Sequence, residues 1–269
     1  MKFFLWEYIM EVVSFYENQE NKSLISLVFS PHPDDDVIGM GGMIAKIAKI
    51  RPVWSVYATD GAGSLRKEDP TTIVASREIE AKNALQCLGG SGAFFMRATS
   101  RNLLIQEEFS KNLEWILLHY NIHSIFVTSP FERHVTHLRT TEWFLQVLKK
   151  IPMEKKKDWQ IFGYSVWGNI IAPQPNIVVE DISEYVDCKE GAILCHKGEI
   201  EYKAYHSGVL ARNFYEAIYE NPHSTAQASH VEIFLKMDAF LYDPLLSLKE
   251  FAQKQSQDFY NHIYKMVAQ

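Results

Sequence analysis

The chain is poor in cysteine: Cys87, Cys188 and Cys195 are the only three in 269 residues, and no two form a Cys-x-x-Cys pair. An odd, widely spaced set excludes a disulfide framework and a thiolate zinc site, and a reducing cytoplasm fits it best. Basic clusters are also lacking. The 27 Lys and Arg are scattered and outnumbered by 33 Asp and Glu, a formal net charge of −6. Phosphate binding needs concentrated Lys and Arg, so a nucleic-acid partner is not expected. Nowhere does the chain hold the roughly 18 uninterrupted apolar residues of a membrane span, so no membrane partner is expected. The N-terminal run MKFFLWEYIMEVVSFYENQE is interrupted by Glu7 and Glu11, and no small-residue cleavage site follows it. It reads as a helix that packs through Phe4, Ile9, Val12, Val13 and Tyr16, and the expectation is a soluble cytoplasmic protein. What the chain has in quantity is hydrophobic side chains, 47%, enough for a sizeable core in one or at most two domains.

From Leu24 onward, short β-branched or aromatic runs alternate with longer segments of helical period, the pattern of βαβ units feeding a parallel sheet. Strands are expected at Ile25 to Phe29, Val53 to Thr59, Ala93 to Met96 and Ser124 to Thr128, with helices at about 40–50, 72–88, 107–120 and 138–150. Two more strands are expected between Ile161 and Val179. The last ninety or so residues read as mostly helical, at about 184–204, 208–220 and 248–267, with a short apolar piece His230 to Leu235 among them. The expected fold is thus α/β, a Rossmann-like, mostly parallel sheet flanked by helices. It forms a single domain with its core at about 24–200 and a mixed strand and helix extension at about 201–269. A small separate cap built from 160–269 is the alternative.

The most informative stretch is Ser30-Pro-His-Pro-Asp-Asp-Asp-Val-Ile-Gly-Met-Gly-Gly42, directly after the first strand. In an open parallel sheet, ligands sit beyond the carboxyl ends of the strands, so this loop faces the functional crevice. Two prolines stiffen it, and Gly39, Gly41 and Gly42 let the backbone turn closely into the helix. An imidazole and one carboxylate can ligate a metal, with the neighbouring carboxylate left over as a base. Taken alone, three aspartates at a helix start are as readily explained by the helix dipole. The second cluster, Ser129-Pro-Phe-Glu-Arg-His-Val-Thr-His137, follows the fourth expected strand and puts His134 and His137 on one side of a forming helix. His, Asp and His from two strand-end loops match a catalytic zinc site with an open position for water. His119 and His123 lack a following Glu and read as structural.

Pro31-His-Pro-Asp-Asp with Gly39 and Gly41-Gly42 resembles the opening signature of the LmbE-like, or PIG-L-type, N-acetylglucosaminyl deacetylases. Thr59-Asp60-Gly61, Arg77-Glu78-x-Glu80 and the His134 to His137 cluster add to the resemblance, as do Val166-Trp167, Pro175-Asn176, Asp181-Ile182, Lys189, Ala192 and His196. The resemblance spans about residues 24–200. It implies a zinc-dependent amidase acting on a small N-acetylated amino sugar or its glycoside, with one zinc on His32, Asp35 and His137. By the same resemblance Asp34 is the general base, His134 the imidazole that stabilises the oxyanion, and Arg77 a residue that contacts substrate. Asp36 matches no ligand and is expected to cap the following helix or support the loop. Relatives commonly assemble, so the resemblance also admits a homo-oligomer.

Two positions depart from the family pattern. Thr136 stands where the family usually carries an Asp that orients the first histidine and raises its pKa, and Glu132 is a nearby substitute. His196-Lys197-Gly198-Glu199 replaces a His-x-Ser-Gln segment, which leaves His196 equally readable as core or surface. These departures motivate the alternative of a metal-binding carbohydrate-binding or scaffold homologue with lost turnover. A magnesium phosphoryl hydrolase on Asp34 to Asp36 is a third reading, but oxygen-only coordination leaves His32 and His137 without a role.

Overall fold

In the central strands β1 (Ile25–Ser30), β2 (Val53–Thr59) and β4 (Ile122–Thr128) nearly every side chain is buried on both faces, and β3 (Gly92–Ala98) lies beside them. Continuous rather than alternating burial marks a parallel sheet covered by helices on either side. The computed structural model describes residues 23–63, 66–99, 107–201, 203–220 and 228–267. The expected N-terminal helix lies outside them. Helices α1 (Asp35–Ala48), α2 (Pro70–Cys87), α3 (Glu107–His119) and α4 (Val135–Lys150) connect or follow the first four strands. Strands β5 (Gln160–Tyr164), β6 (Ile177–Asp181) and β7 (Val231–Lys236) complete a seven-stranded sheet of order β3-β2-β1-β4-β5-β7-β6. β1 to β5 pair in parallel, whereas β7 runs antiparallel to both β5 and β6.

The apolar piece His230 to Leu235 is therefore a strand that enters the sheet between two earlier ones. The expected helix over 184–204 resolves into a 3-10 turn at Ser183–Tyr185, helix α5 (Val186–Leu194) and a short turn at Lys197–Ile200. Helices α6 (Tyr205–Glu220) and α7 (Leu248–Val267) follow the expectation closely.

Helix α1 is broken at Met40, whose φ of −150° is not helical. The amides of Gly42 and Met43, freed by the break, donate to the two carboxylate oxygens of Glu232 on β7 at 2.9 and 2.7 Å. Glu232 is fully buried and is neutralised there by Lys189 of α5 at 2.7 Å, which also donates to Asn213 at 2.8 Å. An unpaired charge in such a place costs several kcal/mol, so the pair and its hydrogen bonds form one unit that fixes the helix break. The glycines of α1 serve close packing, not a turn: positive φ among the described glycines occurs at Gly61 and Gly89. A Cβ on Gly39 would sit inside the ring of Tyr164, and one on Gly42 inside Ile182.

Candidate metal centre

The β1 loop and the β4 loop meet where parallel strands β1 and β4 lie side by side with their carboxyl ends together. Asp35, in the first turn of α1, points Oδ2 back into its own loop. This oxygen accepts from the His32 backbone amide at 2.9 Å and lies 2.8 Å from His32 Nδ1. From the other loop His137, 1% exposed, brings Nε2 to 3.1 Å from the same oxygen and 3.3 Å from His32 Nδ1. Three donors thus form a small triangle. Tetrahedral zinc with bonds of about 2.0–2.2 Å requires ligand atoms about 3.4 Å apart, so a shift of a few tenths of an ångström fits the triangle to the ion. His134, more exposed, adds a third imidazole. The ring nitrogens available on His32, His134 and His137 all lie within 4.8 Å of one another.

Without a cation the three groups neutralise one another. Burial works against charge on His137, but the Asp35 and Glu132 carboxylates outweigh it and hold its pKa at about 10. Burial likewise opposes ionisation of Asp35, yet the two histidines keep its pKa well below the usual carboxylate range. A cation bound here takes over the part of that proton, because an imidazole ligand must be neutral. The other nitrogen of His137, Nδ1, meets Glu132 Oε2 at 3.0 Å. The second oxygen of Glu132 accepts from Ser165 Oγ at 3.1 Å and the Val166 amide at 2.5 Å. Glu132 therefore orients His137, and the expectation that it substitutes for the missing carboxylate beside His134 is corrected. Burial, then His137 and His32, push the His134 pKa down.

Asp34 stands at the helix N-cap but its side chain caps nothing. Its Oδ1 pairs with Arg77 Nη2 at 2.9 Å. Arg77, on α2 and 4% exposed, is held in turn by Glu199 at 3.3 Å and the Gly61 carbonyl at 3.3 Å. Its guanidinium thus sits behind Asp34 instead of reaching into open space. Asp36 is fully buried and accepts from Ser55 Oγ at 2.7 Å and Tyr57 Oη at 2.8 Å, which ties the loop to β2. It supports the loop and does not cap the helix. Burial raises its pKa to about 6.

His196 is 1% exposed, and neither ring nitrogen has a hydrogen-bond partner. Burial pushes its pKa down to about 4. Sequence reasoning missed Glu199, Glu80 and Tyr205. Glu199 pairs with Arg77, Glu80 accepts from the Gly198 amide at 3.0 Å, and Tyr205 lies in the field of Asp34 and Arg77. Two signals were available, Glu80 within the Arg77-Glu78-x-Glu80 segment and Glu199 in place of a family Gln.

An α/β sheet whose two neighbouring strand ends present converging imidazole and carboxylate donors defines a class of protein equipped to hold a divalent metal in its crevice. Within that class residues 27–148 match the family described as "PIG-L: GlcNAc-PI de-N-acetylase". The sequence is 25% identical over 185 residues to YaiS of Escherichia coli (strain K12), described as an uncharacterized deacetylase, covering 66% of this chain and 92% of that one. The fold is similar to that of N,N'-diacetylchitobiose deacetylase from Pyrococcus horikoshii, with a TM-score of 0.67, 22% identity, and 87% and 91% of the two chains covered. It is similar too to GalB, the 4-carboxy-2-hydroxymuconate hydratase from Pseudomonas putida KT2440, with a TM-score of 0.64, 17% identity, and 80% and 96% covered. The same fold therefore carries more than one reaction, and the site has to decide between them.

Proposed function

We propose that the protein is a hydrolase that removes the acetyl group from an N-acetylated amino sugar or its glycoside, with one zinc ion held by His32, Asp35 and His137. The observation that carries this reading is the triangle of donors at 2.8, 3.1 and 3.3 Å, with Asp34, the residue before Asp35, left out of it and its carboxylate paired with Arg77. Zinc bound there supplies Lewis acidity toward the amide carbonyl and a water of lowered pKa. Two imidazoles and one carboxylate suit zinc better than magnesium, which prefers oxygen ligands.

Asp34 takes the proton from the attacking water and returns it to the departing amine nitrogen, which is too basic to leave without it. Arg77 holds the carboxylate in place through the 2.9 Å pair, a positioning part in place of the substrate contact that the family resemblance implies. His134 lies at the exposed side of the cluster, where its ring can donate to the oxyanion. Among the described residues no helix is long and apolar enough to cross a membrane. Together with three free cysteines, this favours a soluble glycan, glycoside or antibiotic-like amino sugar in the cytoplasm over a membrane glycolipid.

The test pairs metal content with acetate release from N-acetylglucosamine and its short oligomers, before and after chelation and zinc add-back. Near one zinc per chain and chelator-sensitive release are expected. Asp34→Asn should keep the zinc and slow release by roughly 10²–10⁴-fold; full activity in that variant refutes the mechanism. A second reading, sugar binding without turnover, is favoured by Thr136, which gives His134 no carboxylate partner. Zinc and sugar binding without acetate, with activity appearing in Thr136→Asp, would select it.

A further inference from the structure

The loop after β5 and helix α6 enclose a cleft of about 220 Å³ that the proposed chemistry does not use. Ser165, Gly168 and Asn169 form one wall, and Arg212, Tyr215 and Tyr219 the other. The loop wall is continuous with the metal centre. Ser165 donates to Glu132, which holds His137, and the Cα of Gly168 packs so closely on Phe131 that a Cβ there would strike its carbonyl. The helix wall leads away from the centre. Tyr205, Arg212, Tyr215 and Tyr219 recur at helical spacing along α6, from Tyr205 in the field of Asp34 outward. At 1.5 Å per residue, Arg212 lies about 10 Å and Tyr219 about 20 Å along the axis from Tyr205. Arg212 donates to the Ser165 and Val166 carbonyls at 2.9 Å, closing the floor between the two walls.

Tyr215 and Tyr219 are 65% and 68% exposed, and their ring planes lie within 8° of each other. Two parallel aromatic faces on a cleft with polar edges suit a saccharide ring, which presents C–H faces to aromatics and hydroxyls to its rim. The volume is below the roughly 300–1,000 Å³ of pockets for drug-sized ligands, so it takes a single ring. Tyr215 and Tyr219 lie about 15 and 20 Å along the axis from Tyr205, so a ring stacked on them is a different sugar residue from one beside Tyr205.

We infer that this cleft is a distal subsite that stacks a pyranose ring of an N-acetylated oligosaccharide whose reacting acetamide lies at the metal centre. The inference rests on the proposed deacetylase reading for the substrate class, and α6 lies outside residues 27–148 that match the family. The test is calorimetry on zinc-loaded Asp34→Asn protein with N-acetylglucosamine, N,N'-diacetylchitobiose and N,N',N''-triacetylchitotriose. Affinity should rise about tenfold from monomer to trimer, the amount that two aromatic contacts supply. Tyr215→Ala combined with Tyr219→Ala, both at exposed positions, should erase that rise. Equal affinity for all three sugars, or a rise that survives the double substitution, overturns the subsite. A Tyr-dependent rise in a protein whose wild type releases no acetate overturns the deacetylase reading and leaves the subsite standing.

Discussion

Replacing Glu132 by Gln tests the proposed metal centre without touching a proposed ligand. In the native arrangement Nδ1–H of His137 donates to Glu132 Oε2 at 3.0 Å, which leaves the Nε2 lone pair facing Asp35 and His32. In Glu132→Gln the carbonyl oxygen stays with the Ser165 hydroxyl and the Val166 amide, because both are donors and need an acceptor. The new NH₂ then faces Nδ1. That donor is satisfied when Nδ1 becomes an acceptor, and the ring proton moves to Nε2, the nitrogen required for coordination. Zinc binding must reverse this tautomer at the expense of a buried hydrogen bond. Loss of such an outer partner weakens metal affinity by about 10–100-fold, or about 1.4–2.8 kcal/mol. The assay is competition for zinc against a chelator of known affinity, with thermal melting of the chelated proteins as the folding control. An affinity within twofold of wild type, in a variant that melts normally, refutes the placement of Nε2 as a ligand.

Asp36 has a folded-state pKa of about 6 against 3.8 for the free group, so folding favours its protonated form. Its contribution to stability is present below about pH 4 and is lost as pH rises through 6, by about 3 kcal/mol. Urea titrations of chelated wild type and Asp36→Asn at pH 4.5 and 7.5 should therefore show a shallower pH dependence in the variant; parallel behaviour contradicts the reasoning. Lys189→Met leaves Glu232 charged and buried, and should lower stability by about 3–5 kcal/mol by chemical denaturation; a loss below about 1 kcal/mol would show that the pair is not what holds the break in α1. Gly39→Ala pushes a methyl into Tyr164 and should cost about 1–3 kcal/mol of stability, whereas a neutral melting curve would mean that Tyr164 moves aside freely.

The parallel half of the sheet was legible because each unit carries its own signal. β1, β2, β3 and β4 are local apolar runs, and the helices between them have their own period and stops. The two loops were legible for the same reason, since residue type and strand-end position are local facts. The partners of those loops were not. Glu132 lies five residues from His137 and was assigned to the wrong histidine, because both imidazoles are within reach in sequence and only the packing of Ser165 and Val166 decides which receives the carboxylate. Glu199 reaches Arg77 across 122 residues, and Glu232 reaches Gly42 across 190, separations at which one chain's pattern carries no pairing information.

Strand β7 shows how such long-range pairing shapes the site. It was legible as apolar, but its place between β5 and β6 depends on a connection that leaves the sheet at Asp181, passes through α5 and α6, and returns antiparallel. That path brings Glu232 beneath α1 and lets it receive the amides of Gly42 and Met43. The break at Met40 separates the first turn of α1, which carries Asp35 and Asp36, from the rest of the helix. Asp36 anchors that turn on β2, leaving Asp35 aimed at His32 and His137 and Asp34 aimed at Arg77. Three consecutive aspartates thus take three directions. A solvated acidic cap would show none of these partners, and it is this division of contacts, more than the fold similar to that of a hydratase, on which the proposed roles of Asp35 as a metal ligand and Asp34 as a base rest.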